Sequence, residues 1–113
     1  MLAAHTTERR RSARFLPAFV TYCRAGSGGE GLVWNISVTG LGMLIGFPPE
    51  ESQTLPIELS NHTTCLCLMA KVAHVRQLEA GDFFVGLRFD KPLGKHEMEH
   101  FVKLKEPKLG TCR

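Results

Sequence analysis

Short runs of alternating apolar and polar residues recur along this chain, separated by turn-forming residues. Residues 55–60 show the clearest alternation, with Leu55, Ile57 and Leu59 on one predicted face. This alternation is typical of a strand with one buried face. Further β-prone runs lie at residues 15–23, 32–37, 40–45, 65–76 and 83–89. The pattern predicts an all-β fold of about six short antiparallel strands, arranged as a barrel or a sandwich.

One helix is predicted near the C-terminal end. Residues 90–92 (Asp-Lys-Pro) introduce it, and it stops before Pro107. At about 100° per residue, the side chains of Met98, Phe101 and Val102 gather on one side of this helix. We expect that side to pack against the barrel or against a partner.

Residues 32–45 contain two β-rich runs joined by a polar turn. If residues 32–37 are extended, their side chains alternate between two faces. We expect one of these faces to be an apolar row that points to the core: Leu32, Trp34 and Ile36. Asn35 and Ser37 would then stand together on the other face, and Gly40 follows where the backbone must bend or be closely approached. Taken alone, these polar residues fit a binding ledge or ordinary turn chemistry equally well.

The strongest motif signal combines that turn with arginines that precede the first predicted strand: Arg9, Arg10, Arg11 and Arg14. Arg10 and Arg14 have the spacing Arg-x-x-x-Arg, and residues 35–40 read Asn-x-Ser-x-x-Gly. In this order and strand context, the two motifs resemble those of the PilZ family of bacterial cyclic di-GMP receptors. The resemblance covers most of the chain, from about Glu8 to Leu104.

The resemblance implies a six-stranded antiparallel β-barrel with one C-terminal α-helix. It divides the chain into a flexible basic arm (1–14), the barrel and helix (15–104) and a tail (105–113). It also implies that cyclic di-GMP is the ligand and that no cofactor or metal is needed. The ligand-binding residues that it implies are Arg10, Arg14, Asn35, Ser37 and Gly40, with Arg9 and Arg11 as additional candidates.

The chemistry of these residue types suits that ligand, which carries two phosphates and two guanines. A guanidinium group forks onto phosphate oxygens or guanine O6 and N7, and it also stacks on a base plane. Asn35 can address a guanine edge, Ser37 can donate or accept a hydrogen bond, and Gly40 leaves room for close backbone approach. Asn35 stands where many family members have aspartate, which removes a charged acceptor. In the family, a basic residue in the position of Arg9 tends to accompany binding of two stacked ligands.

The function that follows is that of a cyclic di-GMP effector or adaptor, not an enzyme. We expect the arm to become ordered over the ligand and so to change the surface that a protein partner sees. The resemblance implies outputs in motility, type IV pilus assembly, adhesion or exopolysaccharide synthesis. One alternative is a degenerate PilZ-like module that binds only protein.

A second alternative is a small β-barrel that binds single-stranded nucleic acid. The strands lack interleaved lysines, and we expect most of the aromatic residues to lie in the core: Phe15, Phe19, Trp34, Phe83 and Phe89. The net charge of +3 is also modest for 113 residues. Nucleic acid is therefore not an expected partner.

The remaining features agree with a cytoplasmic protein. No run approaches the ~20 apolar residues of a membrane span, and no signal peptide is recognisable. The four cysteines form no C-x-x-C pair, so we expect no disulfide framework: Cys23, Cys65, Cys67 and Cys112.

Residues 96–100 spell His-Glu-x-x-His, the zinc-protease signature. Both histidines fall opposite the apolar side of the predicted helix, and the residues after His100 do not continue as Gly-x-x-His. We therefore interpret the match as fortuitous, with adventitious metal binding at His96 and His100 left open. His74 has no nucleophile with a visible partner and is interpreted as an ordinary barrel residue.

Overall fold

The structure is a computed structural model that describes residues 13–26 and 28–102. Within that part, six strands are followed by one helix: β1 (Tyr22–Ala25), β2 (Glu30–Ile36), β3 (Gly40–Ile45), β4 (Thr54–Ser60), β5 (Cys65–Gln77), β6 (Phe83–Phe89) and α1 (Lys95–Phe101). All neighbouring strands are antiparallel, and they form a closed barrel in the order β1-β2-β3-β6-β5-β4. The predicted six-stranded barrel with a C-terminal helix is confirmed.

Alternation along the strands fills the interior of the barrel. In β4 the side chains of Leu55, Ile57 and Leu59 are buried, as their spacing predicts. In β6, Val85 and Leu87 are buried in the same way. Each such side chain contributes roughly 1.5–3 kcal/mol when it leaves water, so the closed barrel rests on this apolar interior.

β2 departs from the predicted alternation. The Leu32 and Trp34 side chains are 40% and 54% exposed, whereas Val33 and Ile36 are buried. The register to β3 shifts between Val33 and Asn35, so Trp34 is an extra residue in a β-bulge. The prediction that Leu32 and Trp34 face the core is therefore wrong. Because of the bulge, the side chain of Ile36 points into the barrel while that of Trp34 stays at the surface.

The first strand begins later than predicted. Of residues 15–21, Phe15 alone forms a bridge, exchanging hydrogen bonds of 2.8 and 2.9 Å with the backbone of Ile36. Pro17 has no N–H, so a regular ladder cannot continue past it. The prediction of a strand over 15–23 is wrong for most of that range, but the Phe15 bridge has a useful effect. It holds Arg14 beside the end of β2.

Helix α1 packs its apolar side on the barrel. Met98, Phe101 and Val102 are buried, as predicted. The Glu97 carboxylate accepts a 2.7 Å hydrogen bond from the backbone N–H of Gly94 at the start of the helix. Val102 has an extended backbone, and α1 therefore ends at Phe101. Among the described residues, no helix has the length and apolar character needed to cross a bilayer.

Candidate ligand-binding site

One hydrogen bond joins the two predicted motifs. The Arg14 guanidinium donates from Nη1 to Oδ1 of Asn35 at 2.9 Å, across 21 positions of sequence. The bridge between Phe15 and Ile36 holds the two residues next to each other. This bond uses one of the five N–H donors that a guanidinium offers, so Arg14 retains capacity for an anion or a base edge.

Arg14 and Asn35 border an open depression of about 460 Å³ on the barrel surface, called here the Arg14 pocket. Its lining combines residues from the N-terminal segment and from β2, β5 and β6: Arg14, Phe15, Leu16, Trp34, Asn35, His74, Phe84 and Gly86. The volume falls in the range of about 300–1,000 Å³ that is typical of small-molecule sites. The pocket joins one cation to several aromatic rings.

Aromatic rings form one wall of the Arg14 pocket. The rings of His74 and Phe84 are stacked, with centroids 6.1 Å apart and planes 25° apart. The Arg76 guanidinium carbon lies 5.7 Å from the centroid of the Phe84 ring, within cation–π distance. Such a wall offers flat apolar area beside positive charge, which suits a planar base that carries a phosphate.

Two glycines make room for this wall. A Cβ atom on Gly86 would overlap the His74 ring and lie 2.9 Å from its Nδ1 atom. A Cβ atom on Gly42 would overlap the Phe84 ring and lie 3.1 Å from Oδ1 of Asn35. The rings therefore lie directly on the backbone of β3 and β6. Any residue larger than glycine at position 42 or 86 would displace them.

Ser37 does not join this pocket. Its side chain is buried, and its Oγ atom accepts hydrogen bonds of 3.2 Å from the backbone N–H groups of Thr39 and Gly40. The same hydroxyl lies 3.3 Å from the carbonyl oxygen of Gly40, to which it can donate. Ser37 therefore shapes the turn between β2 and β3, and it does not line the Arg14 pocket beside Asn35.

Gly40 is also used inside the barrel. A Cβ atom on this residue would overlap the carbonyl oxygen of Leu87 and lie 3.3 Å from the Cα atom of Arg88. Glycine is required at this position because the backbone of β6 passes close to it. The other predicted ligand residues, Arg9, Arg10 and Arg11, lie outside the described residues.

Sequence reasoning missed the aromatic half of the pocket. The sequence pattern places Trp34 in the core and His74 at an ordinary barrel position, and no motif points to Phe84. A usable signal existed in β6, where Phe84 and Gly86 alternate with the buried apolar residues and so share the outward face. Cross-strand pairing of Gly86 with His74 completes the arrangement, but the sequence does not show that pairing.

The residues of the His-Glu-x-x-His match lie on helix α1 and do not line the Arg14 pocket. His96 and His100 are exposed, as predicted. Glu97, the glutamate that would act as general base, instead accepts a hydrogen bond from the backbone of Gly94. The Nδ1 atom of His96 lies 3.5 Å from Oε1 of Glu99, its neighbour on the helix surface.

Comparison with known proteins supports the fold. No family model matches the sequence, and no curated protein matches it. The structure of Escherichia coli YcgR in complex with c-di-GMP is similar, with a TM-score of 0.65 and 16% identity over 80% of this chain and 42% of that chain. The PilZ domain of the same protein with c-di-GMP has a TM-score of 0.62 and 17% identity, covering 80% of this chain and 85% of that chain. The chain has the fold of a PilZ domain.

A third structure with this fold is the Bacillus subtilis inhibitor of motility, MotI/DgrA. Its TM-score is 0.62 and its identity 15%, over 80% of this chain and 47% of that chain. The chain thus spans less than half the length of YcgR and of MotI/DgrA. At these identities the likeness concerns the PilZ fold, and the ligand must be argued from this chain's own residues.

Proposed function

We propose that this chain binds cyclic di-GMP in the Arg14 pocket and acts as an effector without enzymatic activity. The observation that carries the proposal is the hydrogen bond from Arg14 to Asn35. It brings the last arginine of Arg-x-x-x-Arg against the first residue of Asn-x-Ser-x-x-Gly at the edge of a pocket. Two of the structures with the same fold contain c-di-GMP, which supports the choice of ligand.

The contents of the pocket fit a guanine nucleotide. Arg14 supplies a fork for phosphate oxygens or for the O6 and N7 atoms of guanine. Trp34, which is more than half exposed at the rim, and the stacked pair His74 and Phe84 offer planar surfaces for a base. The Asn35 amide already accepts from Arg14, and its NH₂ group is suited to a guanine acceptor.

Arg10 is proposed as the second cation of the site, and Arg9 and Arg11 as further contacts that would favour two stacked ligands. Ser37 and Gly40 would act indirectly. The Ser37 hydroxyl is used by hydrogen bonds within the turn, and Gly40 lies against the backbone of β6. Ordering of residues 1–14 over the ligand remains the proposed switch.

A protein partner is the proposed output. Large apolar side chains are exposed in the segment that connects the arm to β1: Leu16, Phe19 and Val20. A ligand that rearranges the arm would change this surface, which a partner could read. One structure with this fold is an inhibitor of motility, so we propose motility as an output beside pilus assembly, adhesion and exopolysaccharide synthesis.

The test is a calorimetric titration of the chain with cyclic di-GMP. Two charge-assisted contacts of about 1.5–3 kcal/mol each predict that Arg10→Ala/Arg14→Ala weakens binding by roughly 100-fold or more. Arg24→Ala is the matched control, because Arg24 is an exposed arginine on β1 that does not line the pocket. GTP serves as the specificity control. Well-folded protein that releases no heat with cyclic di-GMP would instead support the degenerate, protein-binding alternative.

Single-stranded nucleic acid is a second candidate, favoured by a specific observation. The sequence predicts Trp34 and Phe19 in the core, whereas the structure leaves both side chains at least half exposed. Trp34 lines a pocket together with Arg14, and an exposed ring beside an arginine is a component of a base-stacking surface. Saturable oligonucleotide binding that weakens steeply with salt, in protein that ignores cyclic di-GMP, would favour this candidate.

A further inference from the structure

A second cluster of reactive side chains lies on the hairpin of β4 and β5. Potential ligand atoms of Glu58, Cys65 and Cys67 all lie within 4.8 Å of one another. The Cys65 thiol donates to Oε2 of Glu58 at 3.1 Å, and Glu58 is the cross-strand neighbour of Cys67. None of the three lines the Arg14 pocket.

The two cysteines are available for a ligand. Cys65 and Cys67 are free and exposed. They stand two residues apart on one strand, and a rise of about 3.3–3.4 Å per residue separates their Cα atoms by roughly 6.7 Å. A disulfide accepts Cα separations of up to about 6.8 Å and usually less, so a bond between these neighbours would be strained. A metal ion can bridge the wider gap.

We propose that Glu58, Cys65 and Cys67 form a binding site for a thiophilic divalent cation of the Zn²⁺ class. A tetrahedral zinc ion with bonds of about 2.3 Å to sulfur and about 2.0 Å to oxygen holds its ligand atoms roughly 3.5–3.8 Å apart. The ligand atoms of the three residues lie within 4.8 Å of one another, so they must approach by about 1 Å to reach that geometry. Three protein ligands leave the fourth position for water, and thiolate ligands disfavour Mg²⁺ and Ca²⁺.

The proton and charge balance of the site is simple. On binding, the Cys65 and Cys67 thiols each release one proton to solvent, and the cation takes the place of the proton that now lies between Cys65 and Glu58. Two thiolates, one carboxylate and a divalent cation leave one net negative charge. Arg24 lies 3.4 Å from Oε1 of Glu58, where it offsets that charge and orients the carboxylate from behind.

The experiment uses Co²⁺ as a spectroscopic probe for Zn²⁺, because thiolate-to-cobalt charge-transfer absorption reports sulfur ligands directly. The reference protein carries Cys112→Ser and His96→Ala/His100→Ala, which remove another thiol and the exposed histidine pair on α1. We expect this reference to bind one Co²⁺ per chain with charge-transfer absorption, and Zn²⁺ to displace it. Cys65→Ser and Cys67→Ser should each weaken binding by at least tenfold, roughly the lower limit for losing a supporting contact in a metal site.

Glu58→Gln should weaken binding without abolishing the sulfur signal. Glu51→Gln, which alters an exposed glutamate outside this cluster, should change nothing. Thermal unfolding of each metal-free variant shows whether it is folded. Charge-transfer absorption that persists when both Cys65 and Cys67 are replaced by serine would overturn the proposal. So would a stoichiometry of two chains per metal with metal-dependent dimerisation, since that result would place the ligands on two molecules.

Discussion

Replacing Gly40 with alanine would place a methyl group against the backbone of β6. The new Cβ atom would overlap the carbonyl oxygen of Leu87 and lie 3.3 Å from the Cα atom of Arg88. A carbon atom and a carbonyl oxygen normally stay roughly 3.3 Å or more apart, and a paired backbone cannot swing away as a side chain can. The strands would have to separate where Leu41 pairs with Leu87, and both of these side chains are buried.

We expect a cost near the upper end of overpacking, about 3 kcal/mol. At roughly 4–8 °C per kcal/mol for a domain of this size, the melting temperature should fall by about 12–24 °C. The assay is thermal unfolding followed by circular dichroism. Gly46→Ala is the matched control, because a Cβ atom there meets nothing within 4 Å. A Gly40→Ala protein that melts within about 2 °C of the parent yet loses cyclic di-GMP would refute this reasoning, since Gly40 would then serve the ligand and not the barrel.

Three further predictions concern the pocket and the core. Trp34, the chain's single tryptophan, should change its fluorescence when cyclic di-GMP binds, and Trp34→Ala should weaken binding by roughly tenfold; unchanged emission at saturation would contradict its place in the site. Gly86→Ala should displace the exposed His74 ring, so binding should weaken while the free energy of unfolding changes by less than about 1 kcal/mol in urea titrations. Burial, with a smaller effect from Glu30, raises the pKa of Cys23 from 9.0 to about 12. The stability that Cys23 contributes is therefore full below about pH 9 and is lost as the pH rises toward 12. The difference in unfolding free energy between the parent and Cys23→Ala should narrow by roughly 3 kcal/mol between about pH 8 and pH 11.

Strand positions could be read from the sequence wherever one face of a strand is buried. The alternation of Leu55, Ile57 and Leu59 located β4, and β6 was predicted with its observed bounds, Phe83–Phe89. The apolar side of α1 was also correct. In β4 and α1 the hydrophobic period carries the information, because burial of one face selects the same residues in any fold of this class. In β6 the information lies in a β-prone run that follows a turn.

Local pattern failed where tertiary pairing decides the outcome. The bulge at Trp34 depends on how β2 meets β3, and a shift of one residue sends a predicted core side chain to the surface. Gly40 reads as a ligand-facing glycine until β6 is placed beside it. The contact between Arg14 and Asn35 joins residues 21 positions apart, and only the family resemblance related them in advance.

The most direct test of the account is whether cyclic di-GMP binds through the arginine motif. Calorimetric titration of the parent chain should show saturable binding, with the molar ratio distinguishing one ligand from two. Arg10→Ala/Arg14→Ala should weaken that binding by roughly 100-fold or more, and Arg24→Ala should reproduce the parent. Binding that is equally strong in the double variant, or no binding by folded parent protein, would contradict the assignment of this pocket to cyclic di-GMP.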